Sequence, residues 1–114
     1  AADMREADMR HTNLISADLR GADFRGAKLN GAKLQGAQLH PLLLQEGRQL
    51  ITNFAGASLR FAILSGASLR QMNLTDADLS YANLMGSDMT DADLSGAILT
   101  GAKLNPGMQH LLKK

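Results

Sequence analysis

The sequence predicts an all-β solenoid, in which short extended segments turn corners and each sends one large apolar side chain inward. Three observations predict it. A leucine, or a substitute for it, recurs every fifth residue from Ala2 to Leu39 and resumes in the same frame from Thr52 to Leu104. Alanine nearly always stands two places before it. Glycine often stands two places after it, as in Ala17-Asp18-Leu19-Arg20-Gly21 and Ala27-Lys28-Leu29-Asn30-Gly31. A short internal repeat of this kind is the mark of a stacked, solenoidal architecture.

The period excludes the ordinary elements. In an α-helix five residues advance roughly 500°, leaving successive leucines about 140° apart, so no apolar stripe faces a core. In a straight strand an odd repeat sends successive leucines to opposite faces. An extended segment followed by a turn satisfies the pattern, because each new segment again points its leucine inward.

Each slot of the repeat supports that reading. The central slot holds Leu14, Leu19, Leu29, Leu34, Leu39, Leu59, Leu64, Leu69, Leu74, Leu79, Leu84, Leu94, Leu99 and Leu104, with Met4, Met9, Met89, Phe24 and Phe54 as substitutes. The slot two before it is alanine except at Thr12, Thr52, Met72 and Ser87. One large and one small inward position interleave in a narrow interior at native density. Glycines such as Gly21, Gly26, Gly56 and Gly101 permit a tight corner. The remaining slots carry charged and polar residues, as solvent-facing positions should. Met72, in an alanine slot, is expected to distort its coil locally.

Ala7-Asp8-Met9, Ala77-Asp78-Leu79, Ala82-Asn83-Leu84 and Ala92-Asp93-Leu94 match the A(D/N)LXX signature, and in these units the chain resembles the pentapeptide-repeat proteins over nearly all its length. The resemblance implies a right-handed quadrilateral parallel β-helix, with four pentapeptides to a square coil of twenty residues. About five coils, each rising near 4.8 Å, make a rod on the order of 25 Å long. Residues twenty apart then stack vertically, and stability comes from neighbouring coils. The expected organisation is a repeat domain over 1–105, interrupted at about 40–52, and a C-terminal capping segment over 106–114.

The interruption, His40 to Ile51, departs from the pattern at Pro41, and Gln49 cannot fill a centre without burying an unpaired amide. A loop or helical turn is expected, with some leucines packed back on the rod. Spacing leaves open whether it replaces three coil faces or is a pure insertion. The tail from Pro106 reads as a short amphipathic helix, with Met108, Leu111 and Leu112 on one side. It would cap the open coil edge or mediate dimerisation.

At 114 residues this is one domain. It contains no cysteine, which excludes disulfides, thiol nucleophiles and thiolate metal sites. No apolar run reaches membrane-spanning length, and no basic-then-apolar leader precedes the first repeat, which favours the cytoplasm. The chain opens inside a repeat, as an excised or processed domain would. Charge is uneven: seven basic residues from Arg20 to Arg70 face only Asp23 and Glu46, whereas residues 71–102 carry five aspartates and no basic residue. The plain reading is a solvated surface of uneven composition; the sharper one is a bipolar rod that steers partners or stacks head to tail. Arg5 above Arg25, beside Asp3 and Asp23, reads as a surface charge ladder.

No catalytic, cofactor or metal set emerges. His11, His40 and His110 are widely separated, no phosphate loop occurs, and serines and aspartates recur by repeat rule alone. The expectation is a protein that is not an enzyme and needs no cofactor. Outward slots should be polar, so Phe61 and Tyr81, twenty apart, stand out, with Ile63, Met85 and Arg60 near them. That composition suits an interface hot spot, though stacking that only stabilises adjacent coils explains it equally. Leu43 and Arg48 in the interruption are the second candidate contact; a tolerated surface insertion is the plainer account. The favoured function is a scaffold for an unidentified protein partner, with end-to-end or homodimeric association through uncapped edges as a further possibility. The alternative implied by the family resemblance is DNA mimicry at a topoisomerase such as gyrase. Nucleic-acid binding ranks last, because aromatic and basic residues do not interleave.

Overall fold

The computed structural model describes residues 2–108. Its backbone is held by parallel bridges between residues at equivalent places in successive coils, and these fall into four columns. Face 1 stacks Asp3, Asp23, Asn53, Asn73 and Asp93. Face 2 stacks Asp8, Lys28, Ser58, Asp78 and Ile98. Face 3 holds Asn13, Lys33, Ile63, Asn83 and Lys103, and face 4 holds Asp18, Gln38, Ser68 and Asp88. Four columns visited in turn make a four-sided winding.

Each corner outside the interruption is a β-turn. The alanine-slot N–H donates to the preceding centre's carbonyl, as from Ala27 to Phe24 at 2.9 Å. The residue between has a positive φ, as the third residue of a type II turn requires, for instance 69° at Gly26. Its N–H donates down to the next coil, Gly26 to the Ala55 carbonyl at 3.1 Å. This need explains the glycines. Among the described residues eight corners nevertheless hold a side chain in the left-handed region, among them His11, Phe61, Gln71 and Tyr81, with φ between 57° and 61°.

The polar residue before each centre does more than face solvent. An aspartate or asparagine there accepts the N–H two residues on: Asp78 from Ser80 at 3.0 Å, Asn53 from Ala55 at 3.0 Å, Asp23 from Arg25 at 3.2 Å. The short side chain thereby satisfies a corner N–H. That is the physical content of the second position of the signature.

Centres and alanines of the middle coils fill the interior, and Leu29, Leu34, Leu59, Leu79 and Leu84 are fully buried. Three expected core centres, Leu19, Leu94 and Leu99, are only partly buried. They lie in the first and last coils, which have a neighbour on one side alone. Met72 is buried, and the bridges from Asn53 to Asn73 to Asp93 run past it unbroken. The expected distortion amounts to a turn bond to the Leu69 carbonyl of 3.3 Å.

The interruption is an insertion that replaces no face. Asp23 bridges Asn53 directly, and the Phe24 and Phe54 rings meet inside the rod with centroids 4.5 Å apart. Instead of a loop or helical turn it forms an antiparallel hairpin, β1 (Leu42–Leu43) with β2 (Gln49–Leu50), in the register Leu42 to Leu50 and Leu43 to Gln49. The helical turn survives only at the tip, as a 3-10 turn over Gln45–Gly47. The neck is closed by Thr52, fully buried in an alanine slot. Its hydroxyl accepts the Gly21 N–H at 2.9 Å and donates to the His40 carbonyl at 3.3 Å, joining two backbone groups that elsewhere in the winding meet directly. Leu42 and Leu50 pack back against Gly21.

Below the last complete coil the Asn105 side chain stands in for a further strand. It accepts the Gly86 N–H at 2.7 Å and donates to the Ser87 carbonyl at 3.1 Å. Residues 106–108 form a single 3-10 turn, and Met108 packs against the core. The remainder of the expected capping helix, with Leu111 and Leu112, lies outside the described residues. Among the described residues no helix is long and apolar enough to cross a membrane.

Candidate protein-contact site

The corner between faces 2 and 3 carries, in order down the rod, His11, Gly31, Phe61, Tyr81 and Gly101, the first four N–H groups donating to the coil below. Phe61 and Tyr81 are 59% and 48% exposed, yet they are ordered against each other, with ring centroids 5.1 Å apart and planes 12° from parallel. Both have φ of 60°. For a bulky aromatic this is an unfavourable backbone state, and a pair of them at one corner marks a functional question.

Arg60 completes the group. Its guanidinium carbon lies 5.9 Å from the Phe61 centroid and 5.8 Å from that of Tyr81. It also donates to Asp78 Oδ2 at 3.4 Å. Asp78 accepts the Ser80 hydroxyl at 2.5 Å as well. Desolvation pushes the Asp78 carboxyl up, but the bonds from Ser80 and Arg60 outweigh it and hold the pKa below its ordinary value. The aspartate therefore stays ionised and anchors the arginine beside the rings.

The structure brings together Arg60, Phe61 and Tyr81. Ile63 sits on the adjoining face 3, half-buried, bridged between Lys33 and Asn83. Met85, 44% exposed, stands at the next corner round, at the far end of that face. Leu43 and Arg48 lie on the hairpin, which leaves the corner between faces 4 and 1, diagonally opposite the aromatic pair. Leu43 is 68% exposed, and Leu44, Leu50 and Ile51 extend the apolar surface around it. The two candidate contacts are thus separate surfaces. Among the described residues no three potential metal ligands cluster.

The family described as pentapeptide repeats matches the chain in eight copies, over residues 2–40, 52–91 and 73–105. The chain is a pentapeptide-repeat protein. The internal stretch left unmatched, 41–51, contains the hairpin. Among solved structures, HetL, a pentapeptide repeat protein involved in heterocyst differentiation regulation from the cyanobacterium Nostoc sp. strain PCC 7120, is 36% identical, with a TM-score of 0.64. The match covers 89% of this chain and 44% of HetL. The pentapeptide repeat protein Rfr23 from the cyanobacterium Cyanothece 51142 is 26% identical over 91% of this chain and 60% of its own, with a TM-score of 0.56. The plasmid-mediated fluoroquinolone resistance protein QnrB1 is more distant, 24% identical over 97% of this chain and 62% of its own, with a TM-score of 0.44. The pentapeptide-repeat chain spans less than two thirds of each of these proteins. No curated protein matches it.

Proposed function

We propose that this pentapeptide-repeat chain is a non-enzymatic scaffold, a domain of a larger cytoplasmic bacterial protein, that holds a protein partner at the corner formed by Arg60, Phe61 and Tyr81. The observation that carries the reading is the exposed, stacked pair in a backbone state that glycine occupies at other corners of the rod. Keeping two aromatic residues there opposes stability locally, and partner binding at a preorganised aromatic and arginine surface is what such a surface does best. The hairpin, with its exposed Leu43 and with Arg48 at its turn, is the second surface of the same scaffold.

Gyrase protection by DNA mimicry has less support. It needs a long uninterrupted acidic face, whereas Arg60 and Arg70 approach Asp78 and Asp88 at 3.4 and 3.3 Å and offset two of the five C-terminal aspartates. The deciding experiment is affinity capture from the native host with the wild type, a Phe61→Ser/Tyr81→Ser variant and a variant with the hairpin shortened. The reading expects at least one partner to be lost with the double substitution while the variant keeps its fold by circular dichroism. Equal recovery of every partner by all three proteins removes both surfaces, and inhibition of gyrase supercoiling by the purified protein overturns the scaffold reading.

A further inference from the structure

Side chains at the corners lean toward the coil below. The His11 ring lies where a Cβ on Gly31 would stand, and the Tyr81 ring covers Gly101 in the same way. Glu6 over Gly26 and Asp76 over Gly96 repeat the arrangement at a neighbouring corner. Each ring in the aromatic column therefore occupies the level of the coil beneath its own backbone. The 5.1 Å between Phe61 and Tyr81 is one such level.

Counting levels down this corner exposes a vacancy. The His11 ring fills the level of Gly31, the Phe61 ring that of Tyr81, and the Tyr81 ring that of Gly101. The level between, that of the Phe61 backbone, would be filled by the side chain of residue 31, and residue 31 is glycine. The rings of His11 and Phe61 are thus two coil rises apart, about 10 Å. One planar group fits between them with a normal stacking distance on either side.

The coil above the slot places a lysine on each adjoining face. Lys28 stands above Ser58 on face 2 and Lys33 above Ile63 on face 3, while Arg60 lies lower, between the levels of the Phe61 and Tyr81 rings and bonded to Asp78. Asp8, the carboxylate above Lys28, is held by Arg10 at 2.6 Å. Neither lysine has a carboxylate within 4 Å among the described residues.

We propose that an aromatic side chain on an acidic segment of the protein partner inserts between the His11 and Phe61 rings, completing a four-ring stack with Tyr81 while its neighbouring carboxylates meet Lys28 and Lys33. The proposal rests on the scaffold reading and names the chemistry of its contact. It makes His11, three coils above Tyr81 and polar by repeat rule, part of the same site.

The test is an NMR titration of the whole chain with three probes: a blocked Glu-Glu-Trp-Glu-Glu peptide, the same peptide with Leu for Trp, and adenosine monophosphate. The Trp peptide is expected to shift the ring protons of both His11 and Phe61 upfield and to bind at least about fivefold more tightly than the Leu peptide. His11→Gly removes the roof of the slot at a corner that favours glycine, and is expected to weaken Trp-peptide binding about fivefold and leave the Phe61–Tyr81 contacts in place. Phe61→Asn, tolerated in the left-handed region, removes the floor and gives a second, independent loss. Equal binding of the two peptides, shifts at Phe61 without His11, or an unchanged affinity in His11→Gly overturns the slot. Tighter binding of the nucleotide than of the Trp peptide overturns the protein occupant. Partner capture that is lost in Phe61→Ser/Tyr81→Ser but kept in His11→Gly leaves the scaffold standing and removes only the insertion.

Discussion

The coils above the hairpin and those below it handle the same surface charges in opposite ways. Above, each arginine closes on the aspartate two residues before it in the same repeat: Arg5 on Asp3, Arg10 on Asp8, Arg20 on Asp18 and Arg25 on Asp23, at 2.6 to 2.8 Å. Below, Arg60 and Arg70 reach across to Asp78 and Asp88 in the next coil at 3.4 and 3.3 Å, and the aspartates bond Ser80 and Thr90 within their own repeats. The upper pairs chiefly rigidify corners, with Arg5 also 3.8 Å from Asp23 of the next coil, whereas the lower ones tie coil to coil and, at Arg60, bring a cation to the aromatic pair. The difference follows from one slot. With arginine two after aspartate the clamp closes locally, and with serine or threonine there the carboxylate also meets the coil above.

The largest test of how the two halves cohere is in the core. Leu64→Ala, in a middle coil with neighbours on both sides, is expected to lose about 2–5 kcal/mol of stability in urea unfolding. Leu99→Ala, partly buried in the last coil, should lose clearly less. Equal losses would mean that the rod does not derive its stability from two-sided coil stacking.

The junction between the halves comes next. Thr52→Val keeps volume but leaves the Gly21 N–H and the His40 carbonyl without the hydroxyl that joins them. The expected loss is about 1–3 kcal/mol, with faster amide exchange at Gly21. An unchanged exchange rate there would show that the hydroxyl is not what seals the neck.

Corner strain gives a smaller effect of opposite sign. Gln71→Gly, at an exposed corner with φ of 57°, should stabilise the chain by about 1 kcal/mol. Comparing its melting temperature with that of Tyr81→Gly separates strain from stacking, because only the second loses a ring contact. A gain as large in Tyr81→Gly would mean that the aromatic pair adds nothing to stability.

The smallest effect is in acid. Side-chain bonds from Arg5, Arg10 and Arg20 hold Asp3, Asp8 and Asp18 down at about 2. Because these pKa values lie below the unfolded value of about 3.9, the clamps contribute above that value. The contribution fades as pH falls from near 4 through about 2. Carboxyl carbon NMR shifts should place these three midpoints near 2, and midpoints near 4 would show that the clamps do not persist in solution.

The inward slots were legible because a strict period leaves Leu59 or Ala62 no other side to face. The stacking of Phe61 on Tyr81 followed from counting twenty residues with no insertion between them. What stayed illegible depended on contacts across the break. That Thr52 is the bolt of the hairpin neck had one signal, a hydroxyl in an alanine slot beside the interruption. His11 as a neighbour of the aromatic column could be counted only once the hairpin was known to replace no face. The pairing of β1 with β2 was hidden because two-residue strands carry no period.

By itself the sequence determined a turning solenoid and which repeat slots point inward, because a five-residue period with large and small inward slots suits neither a helix nor a straight strand. Only the tertiary structure decided which residues share a column above and below the hairpin. The bridge from Asp23 to Asn53 sets that register, and register is a contact between coils that no single repeat contains.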